Sequence, residues 1–139
     1  MKTGFFKQLK NNQIPGVVSI SLESSGSDFV LFEYKSLSPN WKLYEKFNSK
    51  KINEDFFYSE FYEQLNQLNP EETYENILTL VKDNEPILMT HGNKSKFCHR
   101  HIVAEWFTKN LGIQIEEYKT GKVLRKKGYM QKIKNPTLF

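Results

Sequence analysis

Cysteine occurs once in this 139-residue chain, at Cys98. An internal disulfide is therefore excluded, and so is a zinc cage built from Cys-x-x-Cys pairs. Arginine is nearly as scarce, since the 20 basic residues are 18 Lys with only Arg100 and Arg125 beside them. The first 30 residues contain no apolar run of signal-peptide or membrane-spanning length, so a soluble cytoplasmic protein with no membrane contact is the expectation. Four familiar chemical signatures are also missing: the phosphate loop GxxxxGK followed by Ser or Thr, the dinucleotide fingerprint GxGxxG, the nucleophile elbow GxSxG and the zinc-protease HExxH. Any nucleotide chemistry must then use a site of another kind.

What is present supplies a core. Eleven Phe, seven Tyr and two Trp each bury a large area, which offsets a mean hydropathy of −0.62. A chain of this length forms one domain that buries roughly two thirds of its unfolded surface. Charge is split along it. Residues 118 to 139 hold seven Lys or Arg and no acid, leaving 13 of the bases against 16 acids before them. The chain reads as an α/β domain over residues 1–118 with a basic extension over 119–139. Such an extension attracts nucleic acid, and an ordinary solvated terminus has the same composition.

Periodicity sets the order of elements. Residues 1 to 15 read as a short apolar group and a polar turn ending at Pro15, and GVVSISL from Gly16 alternates as a strand. DFVLFEYKSL is a second extended segment closed by Ser38-Pro39. Helices follow: NWKLYEKF places Trp41, Leu43, Tyr44 and Phe47 near one face, Asn53 caps a helix with Glu54 and Asp55 in its first turn, and Pro70 starts a third that ends by Asp83. PILMTH is a short strand. Cys98, Ile102 and Trp106 then mark the stripe of a helix stopped at Gly112, and IQIEEY alternates as a last strand. The order strand, helices, strand, helix, strand predicts an α/β domain with a mostly parallel sheet flanked by helices.

The loop THGNKSK and the helix start FCHRH carry the polar residues of most interest. In parallel sheets ligands bind beyond the carboxyl ends of strands, and a helix amino end there favours an anion. Lys94, Lys96 and Arg100 add full charges, and a guanidinium can grip a phosphate through two parallel bonds. Cys98 sits where the dipole and nearby cations favour a thiolate nucleophile, although a lone cysteine on an apolar stripe is also an ordinary packing residue. His99 shares a stripe with Val103 and Phe107 and reads as either a structural histidine or an acid/base group. His101, four residues before Glu105, is expected to form a surface pair on the outer face. Cys98, His99, His101 and His91 are close in sequence, but neighbours diverge by about 100° on a helix, so no metal site is expected.

YKSLSPNWKLYEKFNSKKINEDFFYSEFYEQL followed by PILMTHGNKSKFCHRHIVAEWF resembles the domain-of-unknown-function family 488, over roughly residues 16 to 118. Leu37-Ser38-Pro39 and Cys98-His99-Arg100 are the most specific parts. The resemblance implies a single Rossmann-like α/β domain and a site at Cys98, His99 and Arg100. Two departures stand out: Thr90 and Gly92 occupy places near those where relatives often carry a Cys and a Glu, and the basic tail lies beyond the resemblance.

A nucleotide-like or other phosphorylated ligand is the expected partner. Arg100, Lys94 and Lys96 would take phosphate, His91 and Asn93 the base or sugar, and Ser36 and Ser38 would line the facing loop. Cys98 and His99 are the catalytic candidates if the ligand is cleaved rather than held, as in a hydrolase or glycosidase-like reaction on a nucleotide or nucleic acid. No cofactor is expected. The alternatives are a nucleic-acid-binding or DNA-processing protein using the basic tail, and an interaction or inhibitor module presenting Trp41, Tyr44, Phe57 or Tyr58.

Overall fold

A computed structural model describes residues 1–10 and 12–133. Five strands form one parallel sheet: β1 (Lys2–Phe5), β2 (Val17–Ser19), β3 (Phe32–Glu33), β4 (Ile87–Thr90) and β5 (Glu116–Glu117), in the spatial order β3-β2-β4-β1-β5. With four helices flanking it, the domain has the α/β architecture that the element order predicts and the Rossmann-like layout that the family resemblance implies. A two-stranded antiparallel hairpin, β6 (Val123–Lys126) and β7 (Tyr129–Lys132), completes the chain's described elements.

The helices start where asparagines allow it. α1 (Trp41–Asn48), α2 (Glu54–Leu65) and α3 (Pro70–Val81) each follow an Asn whose Oδ1 accepts a free first-turn N–H: Asn40 from Leu43 at 2.9 Å, Asn53 from Phe56 at 2.8 Å, and Asn69 from Glu72 at 2.9 Å. Acidic residues in the first turns of α2 and α3 and Pro70 at a first helical position agree with the dipole and with proline's fixed φ. α4 (His99–Leu111) ends on Gly112 with φ of +67°, the left-handed cap expected there.

One large core joins Val18, Ile20 and Leu88 of the sheet region to Leu43, Phe57, Phe61, Ile77, Val103 and Phe107 of the four helices. On the opposite face Val17, Ile87 and Met89 pack with Leu9 from a short 3-10 turn. All four residues of β4 are buried, because β1 and β2 flank it and both faces are covered.

Three sequence expectations need correction. KTGF, read as part of an apolar group before a turn, is β1, held between β4 and β5 by pairing that no local pattern announces. The strands expected from DFVLFEYKSL and IQIEEY shrink to two residues each, β3 pairing with β2 only at Phe32 and Glu33 and β5 with β1 only at Glu116 and Glu117. His101 is fully buried and faces Arg125, because the β6–β7 hairpin covers the side of α4 expected to meet solvent. Glu105 instead accepts from the Tyr58 hydroxyl at 2.8 Å and pairs with Lys109. The segment read as a basic extension therefore folds in part as that hairpin, and its last six residues lie outside the described ones. Among the described residues no helix is long and apolar enough to cross a membrane.

Candidate functional site

β2 and β4 are neighbours, and their carboxyl ends open onto one cavity of about 220 Å³. Ser21, Leu22 and Glu23 follow β2. Thr90 and His91 close β4. The start of α4 supplies Phe97, Cys98 and His99, and Tyr44, Phe47 and Phe57 form aromatic walls. The cavity is small beside drug-sized pockets and suits a small ligand or one end of a larger one.

Cys98 is the N-cap of α4, yet its side chain makes no capping bond. Its sulfur lies 3.0 Å from Thr90 Oγ1 and 3.8 Å from the carbonyl of His91. Thr90 Oγ1 is also 3.4 Å from Arg100 Nη1. A guanidinium has no acceptor, so the threonine oxygen accepts from Arg100 and its own hydrogen is free for the sulfur. Burial pushes the Cys98 thiol up, but His99, the Arg100 charge and the Thr90 hydroxyl outweigh it and bring the pKa from 9.0 down to about 6. A thiol with that value is ionised at neutral pH, which is the nucleophilic form.

His99 is oriented by a bond of 2.7 Å between Nε2 and the Ile20 carbonyl, and its ring meets Phe61 edge-on. A carbonyl only accepts, so Nε2 carries hydrogen and Nδ1 is the ring nitrogen outside this bond.

Behind the cavity lies a dry ionic cluster. Glu117 Oε2 accepts from Arg100 Nη2 at 3.0 Å, and Oε1 accepts from Thr3 Oγ1 at 2.7 Å and stands 3.6 Å from Arg125 Nη1. Arg125 Nη1 also donates to His101 Nδ1 at 2.6 Å, which leaves the His101 hydrogen on a buried Nε2 without a partner among the described residues. Burial, then Arg100, Arg125 and His99, drive the His101 pKa from 6.5 down to about 2, so this imidazole is neutral.

Of the sequence-derived candidates, the fold gathers Cys98, His99 and His91 around the cavity. Arg100 lies beneath it with its side chain 0 % exposed and its donors taken by Glu117, Thr90 and the Asn93 carbonyl at 3.1 Å. Asn93 Oδ1 accepts from the Ser95 N–H, while Lys94 and Lys96 are exposed on the loop. Ser38 Oγ donates to the Ile20 carbonyl, Ser36 is exposed, and Pro39 takes the lining position of that loop. Among the described residues no group of three or more His, Cys, Asp and Glu could hold a metal. Trp41 is exposed and Phe57 is in the core. Sequence reasoning missed Thr90, Glu117 and Arg125 as parts of the site. The rarity of arginine was the available signal, because both arginines meet at one carboxylate.

Fold and site together define a Rossmann-like α/β protein with a cysteine and a histidine at the mouth of its strand-loop-helix unit. The chain belongs to the DUF488-N3a family, described as the active DUF488-N3 subclade, whose model matches residues 10–111. None of the curated proteins and none of the solved structures matches the chain. β1, β5 and the hairpin lie outside the matched residues.

Proposed function

We propose that the cavity binds a nucleotide-like or other phosphorylated ligand and cleaves it through Cys98. The observation that carries this reading is the Cys98 sulfur at the cavity wall, 3.0 Å from Thr90 Oγ1 and with its pKa lowered to about 6. The aromatic walls suit a flat base, and Lys94 and Lys96 on the loop supply cations for a phosphate. Arg100 would act on the thiol from below rather than on phosphate. The family's description as an active subclade supports chemistry over binding alone.

In this reading the thiolate forms a bond to the electrophilic carbon or phosphorus, and the bond to the leaving group breaks with its electron pair on that group. His99 gives the leaving group a proton. Water then displaces the sulfur, returns the proton to His99 and restores the thiolate. A cytoplasmic location fits, because a reducing compartment keeps such a thiol free.

The test is incubation of the purified protein with a nucleotide panel, thermal melting, and mass spectrometry of the ligand. Turnover that disappears in Cys98→Ser supports the reading; a ligand bound but recovered intact leaves sequestration, and no binding at all ends it. A second reading has its own observation: Lys119, Lys122, Lys126, Lys127 and Lys132 are all exposed and form no salt bridge among the described residues. A nucleic acid bound there would lose affinity steeply with salt and again on changing Lys122, Lys126 and Lys127 to Gln.

A further inference from the structure

We propose that the β6–β7 hairpin is a working part of the thiol site, with Arg125 and Gly128 as positioning residues that act on Cys98 from outside the matched family region. This inference rests on the thiol-centred reading for its catalytic meaning. Its physical content concerns the thiol alone and can be measured without any substrate.

The first link is through the backbone. The N–H of Cys98 donates to the Gly128 carbonyl at 2.9 Å, so the hairpin turn occupies one of the free donors of the helix start. Gly128 has φ of +91°, and a Cβ there would come within 2.2 Å of the Phe97 ring. Phe97 in turn meets Tyr129 of β7 edge-on at 5.6 Å. Residues 97 and 98 are thus gripped by the turn that carries residues 128 and 129. Only glycine allows both the left-handed backbone and this close approach.

The second link is electrostatic. Arg100 and Arg125 share the single carboxylate of Glu117, with side-chain exposures of 0 %, 5 % and 0 %. His101 adds no charge, since it accepts from Arg125. Among the described residues the cluster therefore keeps one positive charge in excess, away from water. Its path to the cavity runs from Arg100 Nη1 through Thr90 Oγ1 to the sulfur. A thiolate at Cys98 is the anion that brings the buried set to neutrality, and Arg125 is the member that creates the excess.

Among the described residues, the other charged or titratable groups near the sulfur are His99 on α4, His91 on the loop, and Glu23 and Tyr44 across the cavity. None of them belongs to the hairpin. Changing residue 125 therefore isolates its contribution.

The experiment is the pH dependence of iodoacetamide alkylation at Cys98, followed by intact mass in the full-length protein. The native midpoint is expected near 6. Arg125→Gln should raise it by roughly half a unit to one unit, as loss of a nearby opposite charge does. Glu117→Gln should lower it, because it removes the competing anion. Opposite shifts cannot come from loosening of the fold, which would carry both variants toward the ordinary thiol value of 9.0. Should Arg125→Gln not fold, Arg125→Lys keeps the charge: a midpoint near 6 supports the proposal, and a return to the ordinary range overturns it. A native midpoint near 6 that ignores Arg125→Gln also overturns it while leaving the proposed function standing. A native midpoint near 9 removes the thiolate from both.

Discussion

Arg100 Nη2 stands 3.0 Å from Glu117 Oε2, and neither side chain reaches water. The contact joins the first turn of α4 to β5 at the edge of the sheet, across 17 residues of sequence. Thr3 donates to the same carboxylate from β1, and the Arg100 guanidinium lies 5.3 Å from the Phe5 ring. Two strands at the sheet edge are thereby tied to the helix that bears Cys98.

Removing one partner of such a pair leaves the other charged and dry. Glu117→Leu should destabilise the protein by about 3–5 kcal/mol, read from urea unfolding. A loss below about 1 kcal/mol would show that water reaches the cluster.

Cys98 should behave as a thiolate well below the pH of an ordinary thiol. Its alkylation rate is expected to reach half its plateau near pH 6, and Cys98→Ser should give no thiol adduct, since the chain has no other cysteine. The linked stability follows from the sign of the shift. A pKa lowered from 9.0 to about 6 stabilises the fold fully above pH 9, and this contribution fades as pH falls and is gone below pH 6. A midpoint above pH 8 would refute the thiolate.

Thr90→Val keeps the shape and removes the hydroxyl that the sulfur uses. The alkylation midpoint should move upward, and Arg100 Nη1 loses an acceptor at the same time. An unchanged midpoint would mean that the 3.0 Å contact carries no hydrogen bond to the thiolate.

His101 makes the fold sensitive to acid. Neutral in the folded state, with its pKa lowered from 6.5 to about 2, it contributes stability that is complete above pH 6.5 and is lost as pH falls toward 2. Urea stability measured from pH 7 to pH 4 should decline less in His101→Asn, whose side-chain oxygen can still accept from Arg125. Parallel curves for the two proteins would count against a titrating His101.

Gly16 has φ of +91°, and a Cβ there would lie 2.1 Å from the carbonyl oxygen of Glu85. Its own carbonyl accepts the Ile87 N–H at 2.8 Å where β4 begins. Gly16→Ala should cost about 1–3 kcal/mol or more in thermal or urea unfolding. Wild-type stability in that variant would show that the turn can rearrange freely.

Sequence alone determined what is decided within one or two turns of chain. The cap at Asn53, the proline start of α3, the strand in PILMTH and the glycine stop of α4 are local events, and each lies where its residues require. The strand-loop-helix unit with Cys98 and His99 at its turn was legible for the same reason, and the order of elements pointed to an α/β domain with a mostly parallel sheet. Tertiary structure decided the rest. β1 is a strand because β4 and β5 pair with it, and His101 is buried because a hairpin some 24 residues later covers it. Arg100 looked free for an anion from outside, and its anion proved to be Glu117. Periodicity shows which way a side chain leaves its helix; it holds no information about what distant segment arrives to meet it. The charge that reaches Cys98 depends on that arrival.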